Sequence, residues 1–507
     1  MDTSSKRRRR HSRALVVGVA VTLTLTACGS RADHTLRQQA AAAALGNGSG
    51  GGNGGGTGAG SGGGATGGTG GSGGSTTGGS ATGAGSGGTT GGTGGTGGSS
   101  TGGGGTGAAG STTGATTGGA PAPAGGNGGS TDVGVTSTSL TVGNVSDLSG
   151  PVPGLFQGAV IGTEAYFAKI NSEGGIFGRQ LKLKVGDGQL DCGQNKSQTE
   201  SLSSKVFAFV GSFSLYDDCG SDVLKANPNI PDVHGALGQK SQALPNNFSV
   251  APLGGGWRTG PFEYYKKKYG AKFTKIGAIY ANVGTGPTLW SNTKKSIDHE
   301  GGKVVSEHPY GATDTDFTSV VIQMKSDGVQ MIFVNTTDGA TTARFVNALR
   351  GQSVTWPIIF GATAYDSNFL KQAGSNAEGV FNDQQFAQFF NKDDAGSIPA
   401  VAAFQKWTDV VASGETKDLF AVYGWSSAQL FVQALKAAGP KAKRADVMAA
   451  LKKITKFDAD GLLAAADPAD KKPATCWILN VVKNGKFVRV DSPASTFRCD
   501  GTYYPPA

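Results

Sequence analysis

Between Glu164 and Cys192 the sequence changes period once, and that change fixes the class of fold. Ala165, Phe167, Ala168 and Ile170 form one apolar helical face, and Asn171 to Gly175 end the helix with residues that tolerate positive φ. A strand follows at once. Leu181, Leu183 and Val185 alternate with Lys182, Lys184 and Gly186, and Asp187 opens a loop at the strand's carboxyl end. A helix delivered straight into an alternating strand is a unit of an open α/β sheet.

The same rhythm continues on both sides. A strand over 140–145 precedes a helix over about 155–171. A polar helix over 194–205 leads to the apolar run 206–210, a further helix starts after Asp217, and 230–233 reads as a fourth strand. After Ala251-Pro252 the pattern restarts: helices over 261–269, 287–300, 316–326 and 341–350 alternate with strands over 275–281, 303–307, 330–334 and 357–360. Two sets of this size outgrow one core. The fold class expected is therefore α/β, with two doubly wound parallel-sheet lobes joined by a hinge. Lobe 1 is expected over 137–252 with a return over 386–475. Lobe 2 takes 253–385, and 476–507 closes lobe 2 and the hinge. That last part holds helices over 400–411, 423–438 and 445–454, then a hairpin joining 477–482 to 486–490 across Asn484-Gly485.

What precedes the lobes has a different character. From Gly46 to Ser130 the chain is almost only Gly, Ser, Thr, Ala and Asn, so it cannot bury enough surface to offset its ordering entropy. Residues 46–136 are expected to be a disordered tether, with an r.m.s. span on the order of 50 Å for its glycine-rich part. Before it, Lys6 to Arg10 and Arg13 form a basic segment, and Ala14 to Thr26 form an apolar run too short to span a membrane. This leader, 1–27, ends at Leu25-Thr26-Ala27-Cys28, which resembles the lipobox of bacterial lipoproteins. The resemblance implies acylation of Cys28 and a lipidated amino terminus over 28–45. An ordinary signal peptide with an incidental Cys28 is the alternative. A twin-Arg export signal is weak, because the apolar residues expected after the arginine pair are missing.

Charge and cysteine usage narrow the function. Lys6, five arginines and Asp2 lie in the leader, so five of the nine net positive charges leave with it. No basic stripe with interleaved aromatics remains, and nucleic acid is not an expected partner. Cys192, Cys219, Cys476 and Cys499 are even in number and include no CxxC pair. Of three connectivities, the two sequence-local pairs, Cys192 with Cys219 and Cys476 with Cys499, are preferred, and the connectivity stays open. Each would add roughly 3 kcal/mol on the loop-entropy model. Zinc lacks the paired spacing it needs, so no metal and no cofactor are expected.

Open α/β sheets bind ligands outside the carboxyl ends of their strands. On lobe 1 that places Leu155, Phe156, Ser212, Phe213, Ser214, His234, Gly235 and Ala236 at the cleft. On lobe 2 it places Asn282, Val283, Gly284, Thr337, Asp338, Thr363 and Tyr365 there. Each has a plainer role open to it: Ser212 and Ser214 precede a helix and could cap it, His234 could be structural, and Phe156 and Tyr365 could be core aromatics.

Gly174 to Leu183 (GGIFGRQLKL), Asp147 to Pro151 (DLSGP), Asp314 to Phe317 (DTDF) and Ala377 to Val380 (AEGV) together resemble the leucine/isoleucine/valine-binding type of periplasmic binding protein. The resemblance covers about 139–499 and implies a type I fold that feeds ABC importers of branched-chain amino acids. It also implies a bridge between the acidic loop at Cys192 and the loop at Cys219. Where the family sets an acidic partner for the ligand's ammonium, this chain has Thr363, with Asp338 or Asp366 as substitutes. The function expected is a monomeric, lipid-anchored, extracytoplasmic binding protein that passes a small polar organic ligand to an ABC permease. A ligand-sensing ectodomain is the alternative reading. A secreted hydrolase has little support, with no GxSxG, HExxH or GxxxxGK[ST] motif outside the glycine tract.

Overall fold

The computed structural model describes residues 119–253, 256–390, 392–415, 417–490 and 495–505. The leader, Cys28 and most of the glycine-rich segment lie outside the described residues.

Lobe 1 is built on a four-stranded parallel sheet in the order β2-β1-β3-β4. The strands are β1 (Ser139–Ser146), β2 (Gln180–Asp187), β3 (Phe209–Val210) and β4 (Asp232–Val233), and helices α1 (Gln157–Ser172), α2 (Cys192–Ser203), α3 (Asp217–Ala226) and α4 (Gln239–Ala243) connect and flank them. The period-two pattern sets the face of β2: Leu181 is buried while Lys182 and Lys184 are exposed.

A short strand, β5 (Trp257–Arg258), leads into lobe 2, whose seven-stranded sheet has the order β12-β11-β10-β9-β8-β6-β7. The strands β6 (Ile276–Ala281), β7 (Val304–Tyr310), β8 (Met331–Asn335), β9 (Ile358–Phe360) and β10 (Phe381–Gln384) run parallel. Helices α5 (Gly260–Tyr269), α6 (Gly286–His299), α7 (Thr318–Ser326), α8 (Gly339–Gly351) and α9 (Ser367–Ala373) alternate with them. The hairpin of β11 (Ile478–Lys483) and β12 (Lys486–Arg489) adds antiparallel to β10. Finally β13 (Tyr503–Tyr504) pairs with β5.

Between β10 and β11 the chain returns to lobe 1 through α10 (Lys392–Ser397), α11 (Pro399–Val411), α12 (Leu419–Ala438) and α13 (Arg444–Leu451). Helix α12 lies backbone to backbone against α1. A Cβ on Gly162 would stand 1.9 Å from the Ala421 carbonyl oxygen, and one on Gly424 would stand 2.1 Å from that of Ala159. Only glycine allows this approach, and it brings Phe420 and Tyr423 to the cleft from a helix that follows lobe 2 in sequence.

Two bonds close the predicted loops: Cys192–Cys219 and Cys476–Cys499. The tether expectation needs a correction at its end. Residues 119–136, read from composition as linker, are packed on lobe 1. Ala120 bridges Ile176, Thr131 donates to the Ala442 carbonyl, and the buried Arg179 guanidinium donates to the carbonyls of Asn127, Gly129, Thr136 and Pro440. Val135 is buried in the core, and the rest of the segment is held chiefly by its backbone, through charge-assisted bonds to the guanidinium.

Candidate ligand cleft

Between the carboxyl ends of the two sheets lies a cavity of about 310 Å³. Lobe 1 contributes an aromatic wall. Phe156 and Phe213 meet edge to face at 5.0 Å, Phe420 lies 4.6 Å from Phe156 and 4.9 Å from Phe213, and Tyr423 stacks on Phe213 at 6.1 Å. Lobe 2 contributes Thr336, Thr337 and Thr363, together with Leu289, Asn292, Thr293 and Ser296 from α6. The hinge segments bring in Arg258, Gln384, Gln385 and Ala474, and Tyr503 of β13 completes the wall.

The loop after β3 shows how Phe213 comes to face the cleft. Ser212 Oγ accepts from the Val145 N–H at 3.0 Å, and Ser214 Oγ donates to Asp147 at 3.1 Å. Asp147 also accepts from the N–H groups of Leu215 and Leu190. Burial raises its pKa to about 6 even against these bonds. Ser212 and Ser214, predicted as ligand contacts, do not line the cavity and hold the loop to the sheet.

His234 is likewise a structural group. It is buried, with Nδ1 2.7 Å from Asp232 Oδ1 and Nε2 3.8 Å from Asp217 Oδ2. Burial works against the imidazolium, but Asp232 and Asp217 outweigh it and raise its pKa to about 10. Gly235 lets the ring of Phe213 pass, since a Cβ there would stand 2.9 Å from it, and Ala236 is buried.

On lobe 2, Thr337 and Thr363 reach the cavity, and Asp338, Val283 and Tyr365 do not. Asp338 caps α8, accepting from the Thr341 N–H at 2.7 Å. Tyr365 is fully buried among Phe386, Phe389, Phe390 and Phe487, and its hydroxyl accepts from the N–H groups of Phe389 and Phe390. Asp366, the other carboxylate considered as an ammonium partner, caps α9. Val283 is half-buried at the rim. The next two residues touch lobe 1: the Thr285 N–H donates to the Leu215 carbonyl at 3.0 Å, and Gly284 sits at a positive φ where a Cβ would collide with the same carbonyl. The lobes thus meet at this edge of the cleft.

Of the predicted contacts, Phe156, Phe213, Thr337 and Thr363 are brought together. The helix expected over 287–300 forms as α6, but its place at the cleft was not expected, although Leu289, Asn292, Thr293 and Ser296 stand at i, i+3, i+4 and i+7 on one helical face. Nor were Arg258, Phe420 and Tyr423 expected there, for which no local signal exists. Among the described residues no cluster of three or more His, Cys, Asp or Glu could hold a metal ion, and no helix is long and apolar enough to cross a membrane.

Two α/β lobes facing each other across a half-open cavity, joined by several hinge segments, define a two-lobed ligand-binding protein. A sequence model of the periplasmic binding protein family matches residues 139–486, and the chain belongs to that family, in its type I, leucine/isoleucine/valine-binding group. It is 23% identical to Leu/Ile/Val-binding protein homolog 1 of Brucella suis over 293 residues, 57% of this chain and 76% of the relative. Among solved structures it is similar to a fatty acid ABC transporter substrate-binding protein from Thermomonospora curvata, with a TM-score of 0.60 and 19% identity, covering 72% of this chain and 94% of that one. It is also similar to a leucine-binding protein from Thermotoga maritima, with a TM-score of 0.57 and 15% identity, covering 70% and 99%.

Proposed function

We propose that this chain is the lipid-anchored substrate-binding component of an ABC importer, working outside the cytoplasmic membrane as a monomer. It captures a small organic molecule between its lobes, closes on it through the hinge, and presents it to a permease. The observation that carries this reading is the cavity itself, which is walled by both strand-end edges and crossed by hinge strands. The names of the similar proteins support transport, and between them they offer two ligand classes, branched-chain amino acids and fatty acids. No catalytic step is proposed, since the described residues of the cleft bring together aromatic rings, hydroxyls and amides and no nucleophile with its base.

One experiment tests both anchor and capture. Cells producing the wild-type and Cys28→Ser chains are fractionated, and the released protein is denatured and examined by mass spectrometry. The Cys28→Ser chain is expected outside the membrane fraction, carrying one small molecule in near-stoichiometric amount. Retention in the membrane would remove the anchor, and a chain without any bound small molecule would speak against capture.

A further inference from the structure

The cavity is chemically one-sided. Among the described residues that line it, the one formal charge is Arg258, and no Asp or Glu is present. Most polar groups in the wall are already committed to the protein. Thr363 Oγ1 donates to the Thr336 carbonyl, Thr337 Oγ1 to Asp338, Gln384 Nε2 to the Phe386 carbonyl and Gln385 Nε2 to the Ala474 carbonyl.

Among the less committed donors, which include the unpartnered but buried Trp257 Nε1, two can offer a head group to a ligand. Among the described residues Arg258 is bonded through Nη2 alone, at 3.4 Å from Asp383 Oδ2, and Asp383 also accepts from the Tyr265 hydroxyl. Asp383 is buried and its pKa is raised, by burial against the pull of Arg258, so it is a reluctant anion and an incomplete partner for the guanidinium. The Tyr423 hydroxyl, carried by lobe 1, makes no hydrogen bond among the described residues. Burial pushes its pKa up to about 12, and it lines the same cavity of about 310 Å³ as Arg258.

We propose that the cleft takes an apolar monocarboxylate that bears no ammonium group. Its head lies on Arg258 and the Tyr423 hydroxyl, and its body among Phe156, Phe213, Leu289 and Phe420. This rests on the binding-protein reading above and deepens it. A guanidinium offers a carboxylate two parallel N–H bonds, which become strong once the cleft excludes water. An α-amino acid would bring the same carboxylate plus an ammonium, and a buried cation with no anion to meet it is costly. The wall therefore selects against amino acids by what it lacks. Because Arg258 sits in a hinge segment and Tyr423 on lobe 1, a shared head group also ties ligand binding to closure.

The test is calorimetric titration of the full chain, stripped of bound ligand, with hexanoate, octanoate, decanoate, octylamine and leucine. At least one carboxylate is expected to bind, with octylamine and leucine weaker by 100-fold or more. Arg258→Gln should weaken the carboxylate by 30-fold or more, Arg258→Lys should recover part of that loss, and Tyr423→Phe should cost about tenfold. If Arg258→Gln fails to fold, the Tyr423→Phe ratio still decides. Leucine binding more tightly than every carboxylate would overturn the ligand class and leave the binding-protein reading standing. Silence from all three carboxylates would also overturn the class. A chain that neither binds any of the five compounds nor carries a molecule from cells would overturn the reading beneath it.

Discussion

His234→Asn is expected to lower folding stability by about 3–5 kcal/mol at pH 7, the cost of removing one partner from a buried charge set. The residue looks like a cleft contact from sequence, since it follows β4 at the carboxyl edge. Its side chain instead lies between Asp232 and Asp217, and those carboxylates are committed elsewhere too. Asp232 accepts from Asn247 Nδ2, and Asp217 accepts from the N–H groups of Leu237 and Gly238. Taking the imidazolium away leaves two buried carboxylates facing each other. The pH dependence has a definite sign. The folded pKa of about 10 lies above the ordinary 6.5, so this contribution is complete below about pH 6.5 and is lost as pH rises through 10. Urea unfolding at pH 7 measures the effect, and ligand affinity of the folded variant should hold because His234 does not line the cavity. A stability change under 1 kcal/mol, with affinity lost, would return His234 to the cleft.

Asp418→Asn is expected to act in the opposite direction and stabilise the protein at pH 8, by on the order of 2–4 kcal/mol. Burial, and then repulsion from Asp366, raise the pKa of Asp418 to about 7, while burial raises Asp366 and Asp147 to about 6. Each unit is worth about 1.4 kcal/mol. A carboxyl raised in the folded state adds stability below its unfolded pKa near 4 and loses it as pH rises through 6 to 7. Three groups of the same sign should make the wild-type chain more stable at pH 5 than at pH 8. Below about pH 4 the trend reverses, because Asp187, Glu307 and Asp500 have lowered values and lose their bonds on protonation. Asn keeps the cap that Asp418 makes to the Ala421 N–H, so the variant should flatten the slope between pH 5 and 8. Thermal melts across that range decide the matter, and an unchanged slope would contradict the assignment.

The lobes were legible in sequence because parallel α/β architecture writes itself in local periods. The alternation at Leu181 to Val185 and the apolar run at Met331 to Val334 each announce a strand. β10 was not legible, since Phe-Asn-Asp-Gln reads as a turn. Its amides are satisfied only in three dimensions, where Asn480 donates to both Asn382 and Gln384. α12 begins at Leu419, four residues before the helix expected from 423, because Asp418 caps it and the all-apolar run Leu419 to Val422 carries no helical period of its own. The site was less legible than the fold. A carboxyl-edge rule finds the loops that can face a cleft, and it does not say which side chains turn inward. Ser212 and Ser214 turn back to the sheet, Tyr365 turns into the core, and Phe213 turns out. Arg258 and Tyr423 lie 165 residues apart in sequence and come to line one cavity only through the hinge and the α1–α12 glycine contact.

In the proposed function the lobes close on a ligand held in this cavity. Spin labels placed at the exposed positions Lys196 on α2 and Lys295 on α6, in a chain that also carries Cys28→Ser, report the distance between the lobes by pulsed electron double resonance. The ligand-free chain is expected to give a broad distribution reaching longer distances, and saturating ligand to draw it into one narrow, shorter peak. A distribution left unchanged by a ligand shown to bind would contradict that closure.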